Sequence, residues 1–270
     1  MQGLSFKYRH MGTQINYKKI SQQSRIKCLE LVFQAQASHI GSLMSCADIM
    51  AVLFGNINLD QDKFILSAGW KACMLYYHLY KKDRITEDEL NSYCQPGSKF
   101  IGLAEPIIPE IPAAGGSMGF GLPFGVGFSF AKKIAKENGR IFVLMGDGEV
   151  AIGTTWESAL IAAQQKLDNL TVIIDANGFQ AMGKVKDVLN IEPLKEKWQA
   201  FGWDVSEIDG HNCDDIEKVL LENSAPGKPK MIIARTIKGK GVSFMENNNM
   251  YHYKALSDQE YQEALKELNG

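Results

Sequence analysis

The 270-residue chain carries 45% apolar and 22% charged residues and a formal net charge of −2, an ordinary globular balance that offers no basic surface for nucleic acid or anionic membrane. It is long enough to bury a substantial core, and no apolar run reaches the roughly 20 residues that span a bilayer. The basic N-terminal stretch lacks the apolar segment of a secretion signal. The five cysteines (Cys28, Cys46, Cys73, Cys94, Cys213) form no CxxC pair, so a reducing, cytoplasmic setting is expected and a zinc or disulfide framework is not.

Residues 1–18 read as a poorly packed arm, and 19–270 as one domain. Apolar positions recur at helical spacing from Ile20 to Ala37, and Ser45 is expected to cap a second helix over 46–54. A short strand at 63–67 precedes a helix at 71–80, and Thr86 with Glu89 forms a capping box for the next. Residues 96–112 are rich in proline and glycine and lack a period, and a loop of that length usually has a function. It leads into "GGSMGFG", a glycine-rich turn opening a helix that Gly139 is expected to stop. Beyond it, uninterrupted apolar strands at 141–145, 170–174 and 231–235 alternate with helices at 154–165, 192–201 and 214–223. That pattern predicts an α/β fold, a mostly parallel sheet covered by helices on both faces, with ligands at the carboxyl ends of its strands.

Two such ends carry chemistry. The strand "IFVLM" stops at Gly146-Asp147-Gly148, and thirty residues later another stops at "DANGF", with Asn177. One helix and one strand between them return the chain to the same edge of the sheet, so both side chains can face one point. A carboxylate, an amide oxygen and a backbone carbonyl are hard ligands suited to magnesium, with phosphate oxygens completing the octahedron. The flanking glycines let phosphates approach the backbone, and the second glycine-rich turn presents free N–H groups at a helix start. The pattern reads as a metal–diphosphate site. No GxxxxGK[ST] and no GxGxxG after a strand is present, which argues against a P-loop and a dinucleotide fold.

The segment "GDGEVAIGTTWESALIAAQQKLDNLTVIIDANGFQ" resembles the three-layer cofactor domain of transketolases. The likeness extends over nearly the whole chain, through "SHIGSLMSCADIMAVLF", "GGSMGFGLPFGVGFSFA", "DGHN" and "TIKGKGVSFMENNNMYH". It implies thiamine diphosphate and magnesium as cofactors, with Asp147, Asn177 and the Phe179 carbonyl holding the metal. Gly116, Met118, Gly146, Gly148 and Glu149 would contact the cofactor mainly through backbone, and Lys238 matches a lysine that reaches it. His39 and His252 match two histidines facing the reacting sugar, where a pKa near neutrality would allow proton donation and acceptance. His10, His78 and His211 are read as surface or cap residues. A complete transketolase is more than twice this long and carries a pyrimidine-binding domain whose glutamate activates the cofactor. The resemblance therefore implies an N-terminal subunit working with a separate pyrimidine-binding chain, as an α2β2 heterotetramer.

Four positions depart from the family pattern. "SAGWKA" stands where "SKGHA" is usual, so Ala68 replaces a lysine and Trp70 a histidine, while Lys71 comes one position late and is expected to point elsewhere. Leu103 stands for the histidine of a "GHP", and Ile152 for an acidic residue. The losses cluster where a donor's hydroxymethyl group would bond. The reading is a transferase moving a two-carbon ketol unit from a ketose-type donor to an aldehyde. A 2-oxo acid or modified sugar as donor, and a non-catalytic scaffold, remain as alternatives.

Overall fold

The computed structural model describes residues 15–270. Helix α1 (Tyr17–Gln34) begins at Asn16, whose side chain accepts from Lys19 N–H at 2.9 Å, so Tyr17 and Lys18 of the expected arm already belong to it. The rest of that arm up to residue 14, His10 included, lies outside the described residues. Next come α2 (Ile40–Asn56), β1 (Lys63–Leu66), α3 (Ala72–Lys81), α4 (Glu87–Asn91), α5 (Gly121–Ala135), β2 (Ile141–Gly146), α6 (Gly153–Gln164) and β3 (Leu170–Ala176). A small antiparallel pair, β4 (Phe179–Gln180) and β5 (Gly183–Lys184), follows, then α7 (Val185–Val188), α8 (Leu194–Ala200), β6 (Asp204–Asp209), α9 (Cys213–Leu221), β7 (Lys230–Arg235) and α10 (Asp258–Asn269).

The main sheet has the order β1-β2-β3-β7-β6, and every pair in it is parallel. Successive strand residues face opposite layers. Phe142, Leu144, Ile173 and Ile232 join a core with α1, α2, α3, α9 and α10. Ile141, Val143, Val172 and Ile233 join a second core with α5, α6 and α8. The central strands are mostly apolar because both of their faces are covered. The expected three-layer α/β architecture is therefore the observed one.

Several local expectations shift. Helix α2 starts six residues before 46, at a cap position held by His39 in a left-handed conformation (φ 72°). Ser45 lies inside the helix, where its hydroxyl donates to Ser42 O and to Asp175. Helix α5 ends at Ala135 with Lys136 left-handed, and Gly139 instead makes the turn into β2 with φ 109°. The strand β6 is an addition to the expected set, because its polar–apolar sequence at the sheet edge gives no continuous apolar run. His78, read as a surface or cap residue, is fully buried and stacks on Phe54 with ring centroids 5.1 Å apart. His211 ties three elements together: Nδ1 sits 2.8 Å from Asp48, and Nε2 accepts from Ile237 N–H at 2.9 Å.

Candidate active site

The parallel sheet delivers Asp147 and Asn177 to adjacent strand ends, in register at Gly146 and Asp175. Asp147 is 3% exposed, and its two carboxylate oxygens accept from Gly148 N–H (2.9 Å) and Gly178 N–H (2.6 Å). The second bond links the two loops directly. Asn177 Oδ1 accepts from Phe179 N–H at 3.1 Å, while its Nδ2 lies 3.4 Å from both Asp175 Oδ2 and Ser45 Oγ. The amide nitrogen therefore faces the protein interior. Burial, with Asp175 adding to it, pushes Asp147 up to about 7. A carboxylate under that strain gains from a cation beside it.

Beneath this pair lies a buried polar cluster. Asp175 is fully buried and accepts from Lys71, Ser45 and Thr236. Burial would raise its pKa, but Lys71 and these hydrogen bonds hold it below the usual carboxylate range. Glu149, also fully buried, accepts from Ser67, from Gly119 N–H (3.0 Å) and from Gly146 N–H (2.8 Å). It fastens the glycine-rich turn to the ends of β1 and β2.

A cavity of about 250 Å³ opens over these strand ends. Its lining includes His39 and His252, Gly116 and Met118, and Gly146, Asp147, Gly148, Asn177 and Phe179. Nine of the expected site residues thus line one cavity. The other two stand behind it: Glu149 as described, and Lys238, which is fully buried with its ammonium against Asn249 and His252. A second cavity of about 440 Å³ shares Asp147, Asn177 and Phe179, so those three groups lie between two openings. Gln180, absent from the expected set, lines the first cavity, and its Nε2 is buried without a hydrogen-bond partner. Its only sequence signal is a polar residue just after "DANGF".

Two of the four departures from the family pattern fall here, whereas Ala68 is fully buried and neither it nor Ile152 lines the cavity. Trp70 and Leu103 line the cavity. Lys71, expected to point away, lines it too, because Gly69–Lys71 forms a tight 3₁₀ turn that swings the side chain inward onto Asp175. Ile152 packs on the glycine-rich turn, where a Cβ on Gly119 would lie 2.6 Å from its side chain.

Residues 16–270 match the family model "Transketolase, thiamine diphosphate binding domain". The chain belongs to the transketolase family. It is 34% identical over 259 residues to an apulose-4-phosphate transketolase subunit of Phocaeicola vulgatus, covering 92% of each chain. It is 32% identical over 251 residues to 6-deoxy-6-sulfo-D-fructose transketolase subunit SqwG of a Clostridium species, covering 89% of this chain and 91% of that one. The crystal structure of Campylobacter jejuni transketolase superposes with a TM-score of 0.87 at 28% identity, covering 95% of this chain. The chain spans 43% of that single-chain transketolase.

The transketolase cofactor, thiamine diphosphate with magnesium, suits what the site contains. The oxygen set at Asp147, Asn177 and Phe179 is hard and lacks thiolate or imidazole. A Cβ on Gly148 would come within 3.2 Å of Gln180, and one on Gly146 within 3.1 Å of the Trp70 ring, so only bare backbone leaves room there. The unpartnered Gln180 Nε2 is a donor available to a phosphate oxygen.

Proposed function

We propose that this chain is the cofactor-binding subunit of a two-chain, thiamine diphosphate- and magnesium-dependent transketolase that moves a two-carbon ketol unit from a ketose-type donor to an aldehyde acceptor. The observation that carries this is the convergence of Asp147, Asn177, His39 and His252 on one cavity at the carboxyl edge of the sheet. Asp147 and Asn177 through side-chain oxygens, and Phe179 through its carbonyl, hold the magnesium. Gly116, Met118, Gly146 and Gly148 present backbone to the cofactor, with Gln180 donating to its phosphates. Glu149 holds two of the lining loops in place, and Lys238 supports the histidine wall. Thiamine diphosphate, when bound, supplies the nucleophilic carbon that breaks and remakes the carbon–carbon bond. His39 and His252 hydrogen-bond the substrate oxygens and place its protons.

A separate pyrimidine-binding subunit completes the site, in an α2β2 assembly. Two similar proteins are themselves named as subunits, and this chain accounts for under half of a one-chain transketolase. Met118 at the cavity and Phe120 and Phe124 at the start of α5 are exposed, apolar surface of the kind a partner covers. The cysteines stay unbridged, which fits the cytoplasm. Among the described residues, no helix is long and apolar enough to cross a membrane.

The test is co-purification from the native source, followed by a ketol-transfer assay with and without the co-purifying chain. Turnover only with both chains and both cofactors supports the reading. Thiamine diphosphate binding without turnover, even with a partner, sinks it. The apolar pair Trp70 and Leu103 favours a second reading of the donor, a 2-oxo acid or modified sugar lacking the usual hydroxymethyl group.

A further inference from the structure

We propose that Lys238 fixes the tautomer of His252, so that the neutral ring carries its proton on Nε2 and serves the cavity as a hydrogen-bond donor. The deduction starts from Lys238 Nζ, which lies 2.8 Å from Asn249 Oδ1 and 3.0 Å from His252 Nδ1. An ammonium group has three donors and no acceptor, so Nδ1 receives a hydrogen bond and carries no proton. In a neutral imidazole the proton is then on Nε2.

The surroundings leave the lysine little alternative. Asn249 donates its Nδ2 to Ala181 O at 3.1 Å, which leaves Oδ1 as the atom facing the ammonium. Backbone bonds from Gly239 N–H to Gly41 O and from Asn247 N–H to Lys238 O, both 2.9 Å, hold the segment. The lysine stem runs along Gly41, where a Cβ would lie 3.3 Å from Lys238 Cγ. His39 packs edge-on to His252 with centroids 4.8 Å apart, and its backbone N–H donates to His252 O at 2.8 Å. The ring is thus held by Lys238 and by the His39 ring, and its backbone is tied to His39.

Charge supports the same assignment. Burial first, then Lys238, His39 and Lys71, push His252 down to about 3, so the ring is neutral at pH 7. The expectation that His252 titrates near neutrality therefore gives way to a constant donor. Resting on the ketol-transfer reading, its role is to donate to a substrate oxygen as negative charge builds there. Lys238 is a positioning residue that acts through the ring.

Ring-nitrogen NMR of the full chain labelled with ¹⁵N-histidine tests this at pH 7, with His252 assigned by the signals lost in His252→Gln. We expect an unprotonated Nδ1 and a protonated Nε2, and a shift toward the other tautomer in Lys238→Met. A protonated Nδ1 or a doubly protonated ring in the parent chain overturns the proposal, as does an unchanged signature in a folded Lys238→Met. If Lys238→Met does not fold, the parent spectrum alone decides. In the assembled enzyme, Lys238→Met should lower kcat roughly tenfold with less effect on donor KM, the mark of an interaction strengthened in the transition state. The NMR measurement needs no turnover, so it stands or falls separately from the ketol-transfer reading.

Discussion

Lys71 and Asp175 form an ion pair with side chains 1% and 0% exposed, directly below the amide of Asn177. Lys71 keeps its charge there: burial would lower its pKa, but Asp175 together with Cys46 and Asp147 more than offsets that and raises it. The pair orients Asn177, since Asp175 Oδ2 receives the amide nitrogen and leaves the oxygen for the loop and for the proposed metal position. Lys71→Met should strip Asp175 of its counter-charge and destabilise the chain by about 3–5 kcal/mol, the usual cost of breaking a buried pair from one side. Urea unfolding reads that loss. Calorimetry should show thiamine diphosphate and magnesium binding weakened about 10- to 100-fold, as for other groups that orient metal ligands. Unchanged affinity would sink the positioning role.

Glu149 makes a different kind of junction, joining three segments through one carboxylate. In Glu149→Gln an amide nitrogen would face a backbone N–H or the Ser67 hydroxyl, donor against donor. The expected cost is about 1–3 kcal/mol of stability for a buried group left unmatched. Thermal unfolding checks it. Because the carboxylate holds Gly119 and Gly146, cofactor affinity should fall along with stability, whereas a purely local cost would leave affinity alone.

The strand ends are legible in the sequence because the sheet is doubly covered: a run of five or six apolar residues that stops at glycine and a carboxylate marks both the buried strand and the point where it meets a ligand. What escapes is set by backbone geometry that leaves no such mark. His39 takes a left-handed conformation at the start of α2, a position that composition assigns to glycine or asparagine. A helical phase running from residue 71 would direct Lys71 away from the site, whereas the tight turn over Gly69–Lys71 rotates it inward. The family resemblance makes Glu149 a cofactor contact. Two of its three hydrogen-bond partners lie 30 and 82 residues away, at Gly119 and Ser67. His78 sits in an otherwise apolar helix face, and its burial follows from packing against Phe54.

That buried histidine has a pH signature. Burial first, then Lys82 and Lys81, lower His78 from 6.5 to about 3. The unfolded chain therefore takes up a proton near pH 6.5 that the folded chain refuses until about pH 3. Stability from His78 is complete above 6.5 and declines as pH falls through that window, by about 1.4 kcal/mol per unit for one proton. His39, lowered to about 4, and His252, lowered to about 3, add to the decline with the same sign. Urea unfolding at about pH 6 and 5, between the ordinary histidine and carboxylate ranges, should show the slope. In His78→Phe it should be shallower by about one proton's worth. An equal slope in parent and variant would mean that His78 charges in the folded state.

Trp70 and Leu103 add apolar surface to the lining that also holds His39 and His252, at two positions where the family resemblance leads one to expect imidazoles. A substrate hydroxyl buried against such a surface loses its partner, at a cost of about 1–3 kcal/mol, or roughly ten- to hundredfold in kcat/KM. If this surface selects the donor, the assembled enzyme should use a donor without the hydroxymethyl group, such as pyruvate, better than xylulose 5-phosphate. Restoring histidine at both positions, in Trp70→His with Leu103→His, should reverse the preference by ten- to hundredfold for the ketose phosphate. Competition between the two donors, with products quantified by mass spectrometry, measures the ratio directly. A parent enzyme that already turns over xylulose 5-phosphate efficiently, and is little changed by the double substitution, would show that polar groups of the partner subunit serve that hydroxyl and that the apolar surface packs against the cofactor instead.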